Sequence, residues 1–262
     1  MQLEISALSK PGGRDPNEDA LGFWSEAGVC LCVVADGAGG HGGGDVASKL
    51  AVHTILGRFR ESPDCTQEAV LRALHEANEA IIARQRAGEV VADMRATAVV
   101  LAIDAGRPSA CWGHLGDSRL YLFRHGRVLL QTRDHSVVQR MVDAGYLRLD
   151  QLRHAPERSR LFAALGHEEN FEPALGETAF PIEAGDAFML CTDGFWEHVD
   201  ESEMEQALAE VTSAEAWLQR MESQVVARGG KGQDNYSALA VWCSSPAVTA
   251  AVDGAGPTPE PR

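Results

Sequence analysis

Basic residues, long apolar runs and a targeting signal are what this sequence lacks. The chain of 262 residues carries 23 Lys and Arg against 38 Asp and Glu, a formal net charge of −15. This acidic excess argues against nucleic acid or an anionic membrane as a partner, because both attract clustered Lys and Arg. The sequence contains no stretch of ~18 apolar residues, which is the length that a membrane-spanning helix needs. Residues 1–15 lack the basic start and apolar core of a secretory signal. We therefore expect a cytoplasmic protein.

Cysteine pairs of the C-x-x-C kind are also missing. The six cysteines are Cys30, Cys32, Cys65, Cys111, Cys191 and Cys243. Most of them lie in apolar runs, so we predict small buried hydrophobic residues in a reducing compartment. Cys30 and Cys32 would share one face of a strand and could contact a metal, but their spacing is not that of a zinc site.

The composition divides the chain into a folded part and a tail. Hydrophobic residues make up 45% and charged residues 23%, which is ordinary for a globular domain and excludes a wholly disordered chain. Residues 244–262 contain mainly small residues and repeated prolines, too little apolar surface to order a segment. We predict one domain over residues 1–243, a disordered tail over 244–262, and a monomer.

Apolar periodicity predicts the secondary structure of the domain. The predicted strands are 29–35, 97–103, 109–115, 119–124, 128–131, 187–191 and 236–243. His125-Gly126 predicts a hairpin turn between strands 119–124 and 128–131. The predicted helices are 45–58, a second that opens at Asp64 with Gln67 in a capping-box-like start, a third from Ser136 to Gly145, and 201–227 in two pieces. Residues 146–178 are predicted to be irregular. Consecutive helices and consecutive strands predict an α+β fold in which helix pairs cover antiparallel sheets.

Four short acidic segments are the candidates for chemistry. They are Asn17-Glu18-Asp19, Ala35-Asp36-Gly37, Thr192-Asp193-Gly194 and Gln233-Asp234-Asn235. One Asp-Gly pair is most simply a turn. Several carboxylates gathered at the ends of core strands would need a counter-charge. Because every candidate ligand is an oxygen, a pair of Mg²⁺ or Mn²⁺ ions is the simplest source of that charge.

A pair of such ions suits phosphoryl transfer to water. Two-metal sites generate hydroxide from water near neutral pH and clamp the oxygens of a phosphoryl group during in-line attack. A phosphate monoester also needs a cation for its non-bridging oxygens, and Arg14 lies close to the first acidic segment. The alternative for Arg14 is an ordinary exposed arginine.

A second hypothesis for the glycine-rich segment is that it binds a dinucleotide. Residues 37–42 (GAGGHG) match G-x-G-x-x-G, follow a strand and precede a helix. However, that helix is followed by another helix, where a nucleotide-binding unit needs a second parallel strand. Asp36, directly before the first glycine, would also repel a pyrophosphate. We therefore reject the dinucleotide reading.

Six segments in order resemble the metal-dependent protein phosphatases of type 2C, in their bacterial single-domain form. They are Arg14-x-x-Asn17-Glu18-Asp19, residues 34–41 (VADGAGGH), 113–119 (GHLGDSR), Asp134-His135-Ser136, Cys191-Thr192-Asp193-Gly194 and Gln233-Asp234-Asn235. The resemblance covers residues 5–243. It implies a four-layer α-β-β-α sandwich of two antiparallel sheets and a variable flap at about residues 145–175.

The resemblance also implies roles for these residues. Asp36 would bridge two Mn²⁺ or Mg²⁺ ions. Asp193 and Asp234 would complete the shell of one ion, and the Gly37 carbonyl would bind the other.

Four further residues receive roles from the same resemblance. Glu18 and Asp19 would act mostly through bound waters, and Arg14 would bind the substrate phosphate. Asp117, together with Asp193, would form a third metal site.

The sequence departs from the family at one informative position. Many relatives carry Met or His where Ala38 stands, and the His has been assigned the role of general acid. Ala38 can replace neither side chain and cannot act as a general acid, and nothing assigns that role to His41. The default proton donor to the leaving oxygen is therefore a metal-bound water. His114 and His135 are expected to hydrogen-bond within the scaffold.

The resulting prediction is a Ser/Thr protein phosphatase that depends on Mn²⁺ or Mg²⁺. A hydroxide that bridges the ions would attack phosphoserine or phosphothreonine directly, and the partners would be phosphoproteins and a bacterial Ser/Thr kinase that the enzyme opposes. Two alternatives remain: a non-catalytic module that binds phosphoproteins, and a phosphatase of small metabolites.

Overall fold

The computed structural model describes residues 1–39, 43–88, 93–169 and 171–246. His41 and part of the glycine-rich segment lie outside the described residues. So does most of the predicted tail, from residue 247 onward, and the domain limits stay a prediction. None of the helices in the described ranges is long and apolar enough to cross a bilayer.

The strands form two antiparallel sheets. They are β1 (Gln2–Lys10), β2 (Asp19–Glu26), β3 (Val29–Ala38), β4 (Arg95–Ala96), β5 (Ala98–Asp104), β6 (Ser109–Leu115), β7 (Arg119–Arg124), β8 (Arg127–Gln131), β9 (Ala174–Leu175), β10 (Phe180–Pro181), β11 (Ala187–Cys191) and β12 (Tyr236–Ser244). One sheet has the order β1-β12-β11-β7-β8. The other has the order β10-β6-β5-β3-β2, with β4 paired to β3 and β9 to β6.

The helices flank the two sheets. They are α1 (Gly44–Glu61), α2 (Gln67–Ala87), α3 (Val137–Asp143), α4 (Leu149–Leu152), α5 (Asp193–Trp196), α6 (Glu201–Ala209) and α7 (Ala214–Arg228). The apolar faces of α1 and α2, with Ile55 and Leu74, are buried against β3, β5 and β6. Trp217 of α7 and Met204 of α6 are buried on the other sheet.

A third apolar layer lies between the sheets. Leu101 of one sheet and Phe188, Leu190 and Leu239 of the other are completely buried there. The strands that carry these residues, β5, β11 and β12, are buried on both faces, since one face meets the opposite sheet and the other meets helices. The result is the α-β-β-α sandwich that the sequence predicts.

Several predicted boundaries were wrong in detail. The strands β1 and β2 were not predicted, because their alternating exposed residues give only a weak apolar signal. Helix α2 begins after Thr66, whose hydroxyl accepts a hydrogen bond from the Ala69 N–H, whereas Asp64 accepts one from Thr66 N–H in the preceding turn. Residues 146–178 include α4 and β9 and are not wholly irregular.

Other local predictions are confirmed. The Ser136 hydroxyl accepts a hydrogen bond from the Gln139 N–H and caps α3, and Gly145 follows that helix with a φ of 76°. His125 and Gly126 both have positive φ, 52° and 73°, between β7 and β8. Two successive residues of this kind are what a tight hairpin turn requires.

Candidate metal centre

The first two acidic segments meet because β2 and β3 are paired. Asp19 lies directly opposite Asp36 in the antiparallel register of these strands. Asp36 lies inside β3, which continues to Ala38, and does not end the strand as predicted. The next residue, Gly37, donates its N–H to the Glu18 carbonyl at 3.1 Å. The register therefore brings two segments together that are separated along the chain.

The other two acidic segments lie at the neighbouring strands β11 and β12. Asp193 is the first residue of α5, two residues after β11 ends at Cys191, and Asp234 lies just before β12. A Cβ atom on Gly194 would stand 2.1 Å from the Asn235 carbonyl oxygen. Only glycine permits this close approach of the two segments.

The carboxyl group of Asp36 is the centre of the cluster. The carboxyl groups of Asp19 and Asp193 are close enough for their charges to act on it. Burial, and then the nearby charge of Asp193, raises the pKa of Asp36 far above its usual range. Burial above all raises the pKa of Asp19 to about 6 and that of Asp193 to about 7. These buried anions cannot all stay ionised without a positive partner.

Two buried carboxylate oxygen atoms of the cluster remain available for such a partner. Asp19 Oδ1 and Asp193 Oδ1 are buried, and no group in the described ranges forms a hydrogen bond with either atom. An orphaned carboxylate oxygen in the interior is costly unless a cation or an unseen donor meets it. Hard divalent cations prefer such oxygen ligands, so the residues fit Mg²⁺ or Mn²⁺.

The carboxylates do not by themselves enclose an ion. Within the described ranges, no three Asp, Glu, His or Cys side chains form a ready-made metal-binding group. Carbonyl oxygens and waters would therefore have to complete a shell, as is usual for Mg²⁺. A Cβ on Gly44 would lie 2.8 Å from both the Gly37 carbonyl oxygen and Glu18 Oε1, so these two oxygens face the same small space.

Asp117 belongs to the same cluster. It is 4% exposed, and burial together with the charge of Asp193 raises its pKa. The Trp196 indole N–H donates to the Asp117 carbonyl at 2.9 Å. Behind it, the Arg119 guanidinium forms two hydrogen bonds of 2.8 Å with the buried carboxylate of Asp134.

Arg14 lies at the exposed side of the cluster. Its Nη1 atom is 2.5 Å from Asp234 Oδ1, and its side chain is 54% exposed. The positive charge of Arg14 lowers the pKa of Asp234, although burial raises it more. The structure therefore brings Arg14 to the cluster while leaving its guanidinium accessible to a ligand.

The predicted flap region also touches the cluster. Arg158 Nη2 donates to Glu197 Oε2 at 2.7 Å, and Glu197 lies one helical turn after Asp193. The charge of Arg158 is close enough to influence Asp193 and Asp234. An ordered ion pair thus connects residues 145–175 to the edge of the site.

The two histidines of the motifs hydrogen-bond within the scaffold, as expected. Their rings are stacked with centroids 4.8 Å apart. His114 Nε2 contacts the Arg133 carbonyl at 2.8 Å, and His135 Nδ1 accepts the Gly116 N–H at 3.3 Å. Burial lowers the pKa of His135 to about 4, so this imidazole is neutral near pH 7.

Several polar residues around the cluster were not predicted as site residues. The Thr192 hydroxyl donates to Asp19 Oδ2 at 2.9 Å, and Asn235 Oδ1 accepts the Glu18 N–H at 2.8 Å. Both residues adjoin a predicted carboxylate, so their position in the motifs was an available signal. Thr97, which contacts Asp36, lies in no motif and had no such signal.

The dinucleotide reading is contradicted by the topology. Strand β3 pairs with β2 and β5, and both pairings are antiparallel. Helix α1 leads into α2 and not into a parallel strand. A nucleotide-binding βαβ unit is therefore not formed at this glycine-rich segment.

The sandwich with an acidic cluster at one end of both sheets defines a class of protein. Residues 12–228 match the protein phosphatase 2C family, and the chain belongs to this family.

Individual relatives agree with this assignment. The chain is 34% identical over 239 residues to the serine/threonine protein phosphatase PstP of Mycobacterium tuberculosis, a match that covers 90% of this chain but 44% of that protein. The chain thus spans less than half of that relative. It is 30% identical over 234 residues to the serine/threonine phosphatase stp of Listeria welshimeri, which covers 87% of this chain and 90% of the relative.

A solved structure also resembles the chain closely. The catalytic domain of PstP in complex with two manganese ions aligns with a TM-score of 0.78 and 28% identity. The alignment covers 93% of this chain and 99% of that domain.

Proposed function

We propose that this chain hydrolyses phosphoserine and phosphothreonine in proteins, with two divalent metal ions, Mn²⁺ or Mg²⁺, at the acidic cluster. The observation that carries the proposal is the buried pair Asp19 and Asp193 beside Asp36, which is paired in register with Asp19. Asp19 and Asp193 each keep a buried oxygen without a hydrogen-bond partner among the residues that the structure describes. The names of the relatives and the two manganese ions of the PstP catalytic domain support it.

In this proposal the residues divide the work of holding the ions. Asp36, on which the charges of Asp193 and Asp19 both act, would bridge the ions. Asp193 and Asp234 would bind one of them and the Gly37 carbonyl the other, while Glu18 and Asp19 would orient waters. Burial and mutual repulsion raise the pKa values of these acidic groups. A bound cation would stabilise their ionised form.

Further residues would act on the substrate and on a third ion. Bound divalent ions supply positive charge for the phosphoryl oxygens and lower the pKa of water. The accessible guanidinium of Arg14 would turn from Asp234 to the phosphate and bind two of its oxygens. Asp117, with Asp193, would hold a third ion.

The natural substrates in this proposal are proteins phosphorylated by a Ser/Thr kinase that the phosphatase opposes. A phosphate bound by Arg14, whose side chain is 54% exposed, would lie at the surface, where a phosphorylated segment of a protein can reach it. The sequence predicts a cytoplasmic location, and in this proposal the proteins that the kinase phosphorylates are in the same compartment.

Turnover of a phosphothreonine peptide tests the proposal. We expect hydrolysis with Mn²⁺ or Mg²⁺ and no hydrolysis in EDTA, and we expect Asp36→Asn to lose at least ~10³-fold in kcat because the bridging carboxylate is removed. Glu79→Gln, which changes an exposed carboxylate on α2, is the matched control. Equal rates in EDTA and Mn²⁺ would refute the metal mechanism.

The same assay separates the two alternatives. A binding module would retain the phosphopeptide without releasing phosphate. A metabolite phosphatase would hydrolyse small phosphate esters with a much larger kcat/KM than the phosphopeptide.

A further inference from the structure

The buried hydroxyl of Thr97 lies between two of the site's acidic segments. Thr97 stands between β4 and β5 and is 3% exposed. Its Oγ1 atom accepts the Asp36 N–H at 2.9 Å and lies 2.6 Å from the hydroxyl of Ser118. Ser118 is the residue after Asp117, so the hydroxyl of Thr97 connects Asp36 to the turn that carries Asp117.

The contact with Asp36 involves both of its backbone groups. In addition to the Asp36 N–H bond, the Thr97 N–H donates to the Asp36 carbonyl at 2.8 Å. Two bonds to one residue fix the backbone from which the Asp36 carboxyl group projects. Residues that orient metal ligands in this way commonly control metal affinity.

The contact with the turn at Asp117 is equally close. Gly116 has a φ of 93°, and a Cβ atom there would lie 2.6 Å from Thr97 Cγ2. Ser118 is 1% exposed. The turn is therefore packed directly on Thr97, and the pair of hydroxyls is the polar link between them.

We propose that Thr97 is a positioning residue that fixes the position of Asp36 relative to Asp117, so that both carboxylates can bind ions of one multi-metal centre. The inference rests on the metal centre of the proposed function. Asp36 and Asp117 repel each other when both are ionised, because the charge of Asp117 is close enough to act on Asp36. The backbone must hold them together, and the Thr97 hydroxyl is the group that contacts both segments.

Manganese binding by the full chain tests this role without relying on turnover. Free Mn²⁺ is followed by electron paramagnetic resonance during titration of the metal-free protein. Thr97→Val keeps the shape of the side chain and removes the hydroxyl, and we expect its apparent Kd for Mn²⁺ to rise by about 10-fold. Thr97→Ser keeps the hydroxyl, and we expect it to bind within about threefold of the wild type.

Thr132 offers a matched control in the other sheet. Its hydroxyl accepts the Leu120 N–H at 3.0 Å, and its own N–H donates to the Leu120 carbonyl at 3.0 Å. Thr132 is 6% exposed, and it makes the same pair of backbone bonds to a residue that is not acidic. Thr132→Val should therefore lower Tm as Thr97→Val does but leave Mn²⁺ affinity unchanged.

The outcomes separate this inference from the proposed function. Absence of Mn²⁺ binding by the wild type would overturn the metal centre and the inference with it. Wild-type affinity in Thr97→Val, or an equal loss of affinity in Thr132→Val, would overturn only the positioning role. If Thr97→Val does not fold, Ser118→Ala decides, because it removes only the link to the Asp117 turn. We expect about threefold weaker binding for Ser118→Ala, and unchanged binding would refute the inference.

Discussion

Replacing Asp193 by Asn should stabilise the metal-free protein while removing its response to metal. Asp193 is 8% exposed, its Oδ1 atom has no hydrogen-bond partner in the part of the chain that the structure describes, and its charge acts on Asp36. An Asn side chain carries no charge, and its amide can donate a hydrogen bond to a neighbouring carboxylate. The substitution therefore replaces a repulsive contact by an attractive one.

The size of the effect follows from the pKa of Asp193. Burial and the nearby Glu197 and Asp234 raise this pKa from 3.8 to about 7. Each tenfold change in proton affinity is worth about 1.4 kcal/mol, so ionising Asp193 near pH 7.5 costs the folded state at most about 4 kcal/mol. Because neighbouring carboxyl groups share protons and relax, we expect Asp193→Asn to gain about 2 kcal/mol of unfolding free energy without metal.

Urea unfolding at about pH 7.5, in EDTA and in saturating Mn²⁺, measures both consequences. In EDTA the variant should be more stable than the wild type. In Mn²⁺ the wild type should gain stability from ligand binding, and the variant should gain much less. Glu79→Gln controls for the loss of one negative charge at the surface. A less stable variant in EDTA, or an unchanged gain from Mn²⁺, would refute the reasoning.

Three further predictions concern the site and the core. Arg14→Ala should raise KM for a phosphopeptide by about 10-fold or more with little change in Mn²⁺ affinity, since Arg14 would contact the phosphate. Titrations with peptide and with metal measure the two effects. A change confined to Mn²⁺ affinity would contradict the role of Arg14 in phosphate binding. Protons should compete with metal below about pH 7, because Asp19 and Asp193 have raised pKa values. The apparent Kd for Mn²⁺, measured by calorimetry, should therefore fall as pH rises from about 5.5 to about 7.5. A Kd that does not change with pH would contradict this. Phe188→Ala, between the sheets, should cost about 3–5 kcal/mol in urea unfolding, and a cost below about 1 kcal/mol would contradict the packing described.

The sequence contains enough information for the layers of the fold and for the acidic segments. Buried strands such as β3 and β11 are continuous apolar runs, and the carboxylates of Asp36 and Asp193 lie at or just after them. A cluster of oxygen ligands could therefore be predicted before any contact was known.

The remaining features depend on contacts that sequence patterns do not encode. The pairing of Asp19 with Asp36 is a matter of strand register. Thr97 looks like any strand-end threonine until the turn at Gly116 is packed against it. The start of α2 was misplaced because Asp64 and Thr66 are both good caps, and only the observed hydrogen bonds distinguish them.

Crystals of the full chain grown with Mn²⁺ and measured at the manganese absorption edge test the metal centre most directly. We predict two strong anomalous peaks that share the Asp36 carboxylate, with the Gly37 carbonyl at one ion and Asp193 and Asp234 at the other. Anomalous peaks only at other places, with protonated carboxyl groups paired around Asp36, would contradict the metal centre.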